Sequence, residues 1–154
     1  MIAIIDYGAG NHHSVKKAIE FVGGKAFITN DAEKIINANK VILPGVGAFK
    51  EGMDRLKAKN LISILLEFAA TEKPIIGICL GMQLLFDESE EQGVHYGLGL
   101  VNGRVLPFDD PKLKIPQIGW NSLEVQTESP LFYGIKSGDY VYFNHTYFCS
   151  PENN

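Results

Sequence analysis

The chain has 154 residues, a size that fits one domain, and a mild net charge of -4. With 45% apolar and 21% charged residues, it has the composition of an ordinary soluble globular protein. The positive charge is scattered, and residues 16 and 17 form the only adjacent pair of basic side chains. Because a nucleic-acid surface needs clustered Lys and Arg, this pattern argues against nucleic acid as a partner.

The sequence gives no signal for export or membrane insertion. No cationic stretch precedes the apolar start at residues 1–5, and the longest apolar run, residues 61–70, contains Glu67. We therefore expect a cytoplasmic protein, in which two cysteines do not make a disulfide framework. No Cys/His cluster has the spacing of metal ligands, and the glycines at residues 8–10 lack the third glycine of a dinucleotide fingerprint. We expect no metal and no cofactor.

The first half of the chain alternates strand and helix signals. Helical spacing of apolar residues predicts a helix over about 15–22 and a longer one over 48–71, broken near Asn60. Strands alternating with helices predict an α/β fold, in which a mostly parallel sheet carries helices on both faces. Short, continuous apolar runs predict its buried strands at residues 2–5, 25–29, 41–43 and 75–78.

The second half has a different pattern. A short helix is predicted over 82–88, and no long helix follows Glu91. This part of the chain should form an antiparallel or mixed β region attached to the parallel sheet. We find no linker or internal repeat, so residues 1–154 are expected to form a single domain. The β-rich stretches are residues 98–106, 113–118, 122–126 and 140–143.

A strand runs directly into a helix through residues 77–81, which read glycine-x-cysteine-x-glycine. This is the pattern of a nucleophile turn, with Cys79 as the nucleophile, and the turn is so sharp that a Cβ at either flank would collide with backbone. The start of the helix carries partial positive charge, which favours the reactive thiolate. The N–H of Leu80 would face a developing oxyanion. The alternative is that Cys79 is a buried structural cysteine.

A second loop, residues 43–49, closes the third strand and opens the next helix. Its two glycines let the backbone approach a ligand closely, and its N–H groups could complete an oxyanion hole. An ordinary strand-to-helix turn would have the same sequence pattern, so this loop gains functional meaning from the nucleophile turn on the same sheet.

Five segments in order resemble the class I (triad-type) glutamine amidotransferases, most closely the glutaminase subunits of imidazole glycerol phosphate synthases in histidine biosynthesis. The resemblance covers nearly the whole chain and implies a flavodoxin-like open sheet. The matching segments are residues 4–11 (IIDYGAGN), 43–49 (LPGVGAF), 77–86 (GICLGMQLLF), 115–121 (IPQIGWN) and 142–147 (YFNHTY).

The resemblance implies a reaction and a set of roles. Cys79 would attack the side-chain amide of L-glutamine, release ammonia and leave a glutamyl thioester that water hydrolyses to glutamate. The ammonia would pass to a cyclase subunit, a (β/α)8 barrel that forms a heterodimer with this chain. The resemblance assigns the oxyanion hole to Val46, Gly47 and Leu80, glutamine binding to Gln83, Glu91, Thr146 and Tyr147, and the partner interface to Asn11, Trp120 and Asn121.

Two departures from the family pattern matter. Gln117 stands where the family usually has His, which bears on the choice of partner. The catalytic His and Glu, which the family carries as a His-x-Glu pair near its C-terminus, are absent from this chain. We therefore expect a truncated member that lacks the last strand or strands and a helix, and that is inactive alone.

None of the four histidines is a convincing replacement for the missing base. Two are expected at the surface, one in a glycine-rich loop and one in a substrate-side segment; they are His12, His13, His95 and His145. Ser150 precedes Pro-Glu in place of a His, but serine could not act as the base.

Three other functions stay open at the level of sequence. The chain could supply ammonia to a different synthase, such as one that aminates a surface sugar. It could be a thiol hydrolase or esterase with the same turn. It could also be a truncated scaffold that binds a partner without turnover.

Overall fold

The computed structural model describes residues 1–152, and these form two compact units. Unit one comprises residues 1–107 together with the segment from Phe148 onward, and unit two comprises residues 108–147. The single domain that the sequence predicts over residues 1–154 stays a prediction, and the two units are described separately below.

Unit one contains a four-stranded parallel sheet in the order β2-β1-β3-β4. Apolar side chains of β1 and β3 are fully buried in its core, as continuous apolar strands require. The sheet confirms the predicted α/β fold. Its strands are β1 (Ile2–Ile5), β2 (Ala26–Thr29), β3 (Lys40–Gly45) and β4 (Ile75–Cys79).

The fourth strand is less buried than its apolar sequence predicts. Ile78 is 39% exposed, whereas Leu43 on the neighbouring strand is fully buried. Within the described residues, β4 lies at the edge of the sheet and pairs only with β3. An edge position explains the exposure, because an edge strand has no neighbour on its second side.

Four helices connect these strands: α1 (His12–Phe21), α2 (Ala32–Ile36), α3 (Phe49–Ala58) and α4 (Leu61–Ala70). The chain steps from β1 to β2 in one direction across the sheet and then from β2 to β3 and β4 in the opposite direction. Right-handed crossovers therefore place α1 on one face and α2 with α4 on the other. The packing agrees, because α1 contacts β1 and β2 while α2 contacts α4. The predicted break in the long helix occurs at Asn60, which has left-handed backbone with φ 55.

The predicted helix over 82–88 is wrong. Helix α5 (Leu80–Gln83) is a single turn, and the chain then becomes strand β5 (Phe86–Ser89). The reason is tertiary pairing: the Leu84 carbonyl accepts a hydrogen bond from Leu98 N at 2.9 Å, and the Leu85 carbonyl accepts one from Leu100 N at 2.8 Å. An apolar run this short fits the period of a helix as well as that of a strand, so pairing with distant residues decides which of the two forms.

Strand β5 belongs to a second sheet of unit one. It pairs antiparallel with β6 (His95–Tyr96) and parallel with β7 (Val101–Pro107). The Asp87 carboxylate accepts a hydrogen bond from Gly103 N at 2.8 Å across the β5–β7 pair. Strands β6 and β7 confirm the mixed β region that the sequence predicts after Glu91.

Unit two is built on an antiparallel pair, β8 (Gln117–Ser122) and β9 (Tyr140–His145). One face of this pair carries exposed apolar side chains, which include Ile118 at 59% and Trp120 at 67% exposure. Strand β10 (Tyr147–Pro151), most of which lies in unit one, completes the second sheet next to β7. Across residues 1–152, the helices are all too short or too polar to cross a bilayer.

Candidate active site

The nucleophile turn (residues 77–81) has the predicted form. Strand β4 ends at Cys79 and α5 begins at the next residue, and Cys79 is exposed with φ 55 and ψ -118. A Cβ on Gly77 would lie 2.3 Å from Met82 Cα, and one on Gly81 would lie 1.7 Å from the Leu43 carbonyl oxygen. Both flanking positions therefore require glycine. The exposed thiol excludes the alternative of a cysteine buried in the core.

The glycine loop (residues 45–47) lies next to the nucleophile turn. Gly45 is the last residue of β3 and pairs in register with Cys79. A Cβ on Gly45 would lie 2.8 Å from the Gly81 nitrogen, so the backbones of the two turns are close. Val46 is 60% exposed and Gly47 has φ +99. The carboxyl ends of β3 and β4 thus hold the thiol and the proposed oxyanion loop side by side.

The carboxylate of Glu91 contacts the first residue of α3, the helix that follows the glycine loop. Its Oε2 accepts a hydrogen bond from Phe49 N at 2.7 Å. Gln83, the last residue of α5, is half-buried in the same unit. Only the family resemblance pointed to these two residues, and it gave no indication that Glu91 caps a helix. The one local signal was Ala48, which precedes α3 and cannot cap it with its own side chain.

Tyr7 is a site residue that the sequence reasoning missed. Its side chain is 1% exposed, and its hydroxyl has no hydrogen-bond partner among the described residues. The hydroxyl lies 2.5 Å from the point where a Cβ on Gly45 would be. Burial raises the pKa of Tyr7 well above its usual value, the charge of Arg55 opposes the increase, and Cys79 adds to it. The phenol is therefore a neutral group beneath the glycine loop.

The loop after β1 is tied to helix α3. Arg55 donates a hydrogen bond to the Gly8 carbonyl, and Lys59 Nζ donates one to the Asp6 carbonyl at 3.1 Å. Asn11, predicted at the partner interface, is exposed and caps α1 by accepting a hydrogen bond from Ser14 N at 3.1 Å. This loop is positioned by Arg55 of α3 and by Lys59, the residue that follows α3.

The histidines contact groups other than Cys79. The expectation that His12 is a surface residue is wrong: its side chain is 14% exposed, and its Nε2 lies 3.8 Å from Asp6 Oδ1. His13 is exposed, and His95 lies in β6 and not in a loop. His145 Nδ1 donates a hydrogen bond to the Tyr147 carbonyl at 2.8 Å within unit two. None of these contacts gives Cys79 a base.

The remaining predicted site residues lie in unit two. Trp120 makes an edge-to-face contact with Tyr142, with ring centroids 5.7 Å apart. Gln117 Nε2 donates a hydrogen bond to Asn121 Oδ1 at 2.7 Å, so the residue that replaces the family's His orients a residue of the predicted interface. Thr146 is exposed. The structure thus groups Trp120, Asn121 and Thr146 in one unit and the nucleophile in the other.

Two relatives of this chain carry the same name. Residues 3–154 match the family profile described as glutamine amidotransferase class-I. The chain is 46% identical to imidazole glycerol phosphate synthase subunit HisH of Syntrophotalea carbinolica, over 99% of this chain and 77% of that protein. It is 49% identical to the protein of the same name from Chlorobium chlorochromatii, over 99% of this chain and 76% of that protein.

A solved structure has the same fold. A crystal structure described as a glutamine amidotransferase matches with a TM-score of 0.72, over 94% of this chain and 71% of that chain. The two sequences are 16% identical, so this likeness bears on the fold alone.

Proposed function

We propose that this chain, which belongs to the class I glutamine amidotransferase family, uses Cys79 to take ammonia from the side-chain amide of L-glutamine. The observation that carries the proposal is the nucleophile turn, in which an exposed Cys79 with φ 55 stands at the start of α5 beside the glycine loop. A turn of this kind holds its nucleophile exposed at the end of the sheet.

The reaction begins with attack of the Cys79 thiolate on the amide carbon. The carbon–nitrogen bond breaks as ammonia leaves, and the product is a glutamyl thioester that water hydrolyses to glutamate.

The negative charge that develops on the carbonyl oxygen needs donors already in position. Leu80 N, at the first position of α5, is one proposed donor, and the backbone of Val46 and Gly47 is the other. Removing one such donor from a hydrolase typically costs about 100- to 1,000-fold in rate.

Glutamine would be held in unit one by Gln83 and Glu91, an amide and a carboxylate that complement the polar ends of an amino acid. The carboxylate of Glu91 suits the substrate ammonium, since an ion pair between them is a charge-assisted hydrogen bond. The roles of Thr146 and Tyr147 stay predictions.

Turnover also needs a base, and the 154 residues contain no His-x-Glu pair. We propose that electrophiles modify Cys79 in this chain by itself, but that the chain alone does not turn over glutamine. A nucleophile can react once without a base if it is already a thiolate, whereas repeated acyl transfer must return a proton to the leaving ammonia.

The partner that we propose is the cyclase subunit of an imidazole glycerol phosphate synthase in histidine biosynthesis, because the named relatives are HisH subunits of that enzyme. The exposed face of β8 and β9 fits a protein partner, since exposed aromatic residues are enriched at the centres of interfaces. The proposed product of this chain is ammonia delivered to that partner.

The test uses the chloromethyl ketone analogue of glutamine, in which a CH2Cl group replaces the amide nitrogen. Attack by Cys79 forms a carbon–sulfur bond and expels chloride, and mass spectrometry locates the adduct. We expect saturable labelling of Cys79 that excess glutamine prevents. Cys79→Ala should abolish the labelling and Cys149→Ala should leave it unchanged. Labelling that survives Cys79→Ala, or that glutamine does not prevent, would exclude the proposal.

A further inference from the structure

Helix α3 begins without a cap from its own sequence. Ala48 is its N-cap residue, with extended backbone at φ -85 and ψ 148, and makes no side-chain hydrogen bond. Alanine is a poor N-cap, because it offers no oxygen to the free N–H groups of the first turn. The free N–H groups at the start of α3 therefore need an acceptor from outside the helix.

Glu91 supplies that acceptor from 42 residues away. The distance from Phe49 N to Glu91 Oε2 is 2.7 Å, within the range of a charge-assisted hydrogen bond. The negative charge also lies at the positive end of the α3 dipole. Glu91 is itself held near β5, because its N–H donates to Ser89 Oγ at 3.1 Å and Ser89 is fully buried.

This contact fixes one end of the proposed oxyanion loop. Phe49 is fully buried and follows Gly45 by only a few residues, and Gly45 is paired with Cys79 on β4. Contacts at Gly45 and Phe49 thus restrain the glycine loop at both ends relative to the thiol. Through Phe49, the Glu91 carboxylate thus helps to position the backbone N–H groups of Val46 and Gly47, which it does not contact.

We propose that Glu91 is a positioning residue for the glycine loop, in addition to the glutamine-binding role that rests on the proposed function. A carboxylate has two oxygens and can accept several hydrogen bonds, so the Phe49 N–H and a substrate ammonium can share it.

The experiment separates the two uses of the carboxylate with three variants. Glu91→Ala removes the cap and the charge, and Glu91→Gln keeps an oxygen for Phe49 N but removes the charge. Glu91→Ala combined with Ala48→Ser restores a cap from the N-cap position, whose backbone already suits a capping serine. Each is compared with the unaltered chain by thermal unfolding, by iodoacetamide labelling of Cys79, and by labelling with the chloromethyl ketone analogue.

We expect Glu91→Ala to lower Tm by a few degrees, to lower the maximal rate of analogue labelling, and to raise its half-saturating concentration by about 10- to 100-fold. Ala48→Ser should restore Tm but neither the maximal rate nor the half-saturating concentration, because a capping serine accepts from the second or third residue of α3 and does not replace the contact between Glu91 and Phe49 N. Glu91→Gln should lower Tm less than Glu91→Ala does, keep the maximal rate and raise the half-saturating concentration. If Glu91 were only a structural cap, the labelling parameters would change together with Tm in every variant.

Three results would overturn parts of the proposal. If Glu91→Ala leaves Tm, the iodoacetamide rate and the maximal analogue rate unchanged, Glu91 does not position the loop. If Glu91→Gln leaves the half-saturating concentration unchanged, the carboxylate does not receive the ammonium. If the unaltered chain shows no saturable labelling by the analogue, the proposed function fails. The Tm and iodoacetamide measurements then still decide the positioning role.

Discussion

The two cysteines differ in the surroundings of their sulfur atoms. Cys79 is exposed at the nucleophile turn, whereas burial raises the pKa of Cys149 to about 11, with the nearby Cys79 adding to the increase. A thiol with that pKa is about 0.1% ionised at pH 8, and only the thiolate reacts with alkylating reagents.

We predict that iodoacetamide at pH 8 modifies Cys79 at least tenfold faster than Cys149. The rate at Cys149 should rise as the pH approaches 11, because its raised pKa delays ionisation until then. Peptide mass spectrometry of samples quenched over time gives both rates in one experiment. Equal rates at pH 8 would show that Cys149 is not protected by its surroundings.

At the scale of residues, contacts between residues that are close in the sequence could be predicted from the sequence alone. The glycines at residues 77 and 81 could be interpreted because a sharp turn leaves no room for a Cβ, and the coordinates place backbone at those points. The contacts of Tyr7 with the glycine loop and of Glu91 with Phe49 could not be predicted. They join residues 38 or more positions apart, and no spacing rule relates such distant side chains.

At the scale of elements, the junction between α3 and α4 depends on one residue in left-handed backbone. Asn60 has φ 55 and ψ 34, a conformation that asparagine and glycine tolerate and that β-branched residues avoid. We predict that Asn60→Gly changes the free energy of unfolding by less than about 1 kcal/mol and that Asn60→Val lowers it by about 1–3 kcal/mol. Urea unfolding measures both, and equal effects would show that the backbone conformation is not the cause.

The elements also show where periodicity is informative. The four parallel strands were predicted to within two residues, because each is a continuous apolar run between turn signals. Helix α2 was missed, since it has only five residues and its start depends on Asp31 accepting from Lys34 N at 3.1 Å. Strand β5 was predicted as helix because its partners, β6 and β7, come later in the chain.

At the scale of the whole molecule, the exposed aromatic face of unit two is the surface through which the proposed partner is expected to bind. Large aromatic side chains that become buried at an interface often carry much of the binding energy. We predict that Trp120→Ala weakens binding of the cyclase subunit at least tenfold and leaves the unfolding transition unchanged, as Trp120 is 67% exposed. Isothermal titration calorimetry gives the affinity.

A matched control is available within the same unit. Tyr133 is 95% exposed and lies outside β8 and β9, so Tyr133→Ala removes a similar aromatic area away from the proposed interface. If both variants weaken binding equally, the face of β8 and β9 is not the interface. The sequence alone could name Trp120 through the family resemblance, but not its exposure, which depends on the register between β8 and β9.

The pairing of Gly45 with Cys79 also affects how the molecule fluctuates. Strands β3 and β4 remain joined up to this last pair, so the amides of the two turns belong to one segment of the parallel ladder. Segments that open as a unit exchange their amide hydrogens with solvent deuterium together. Transient fraying at this end of the sheet would therefore displace the thiol and the glycine loop in the same event.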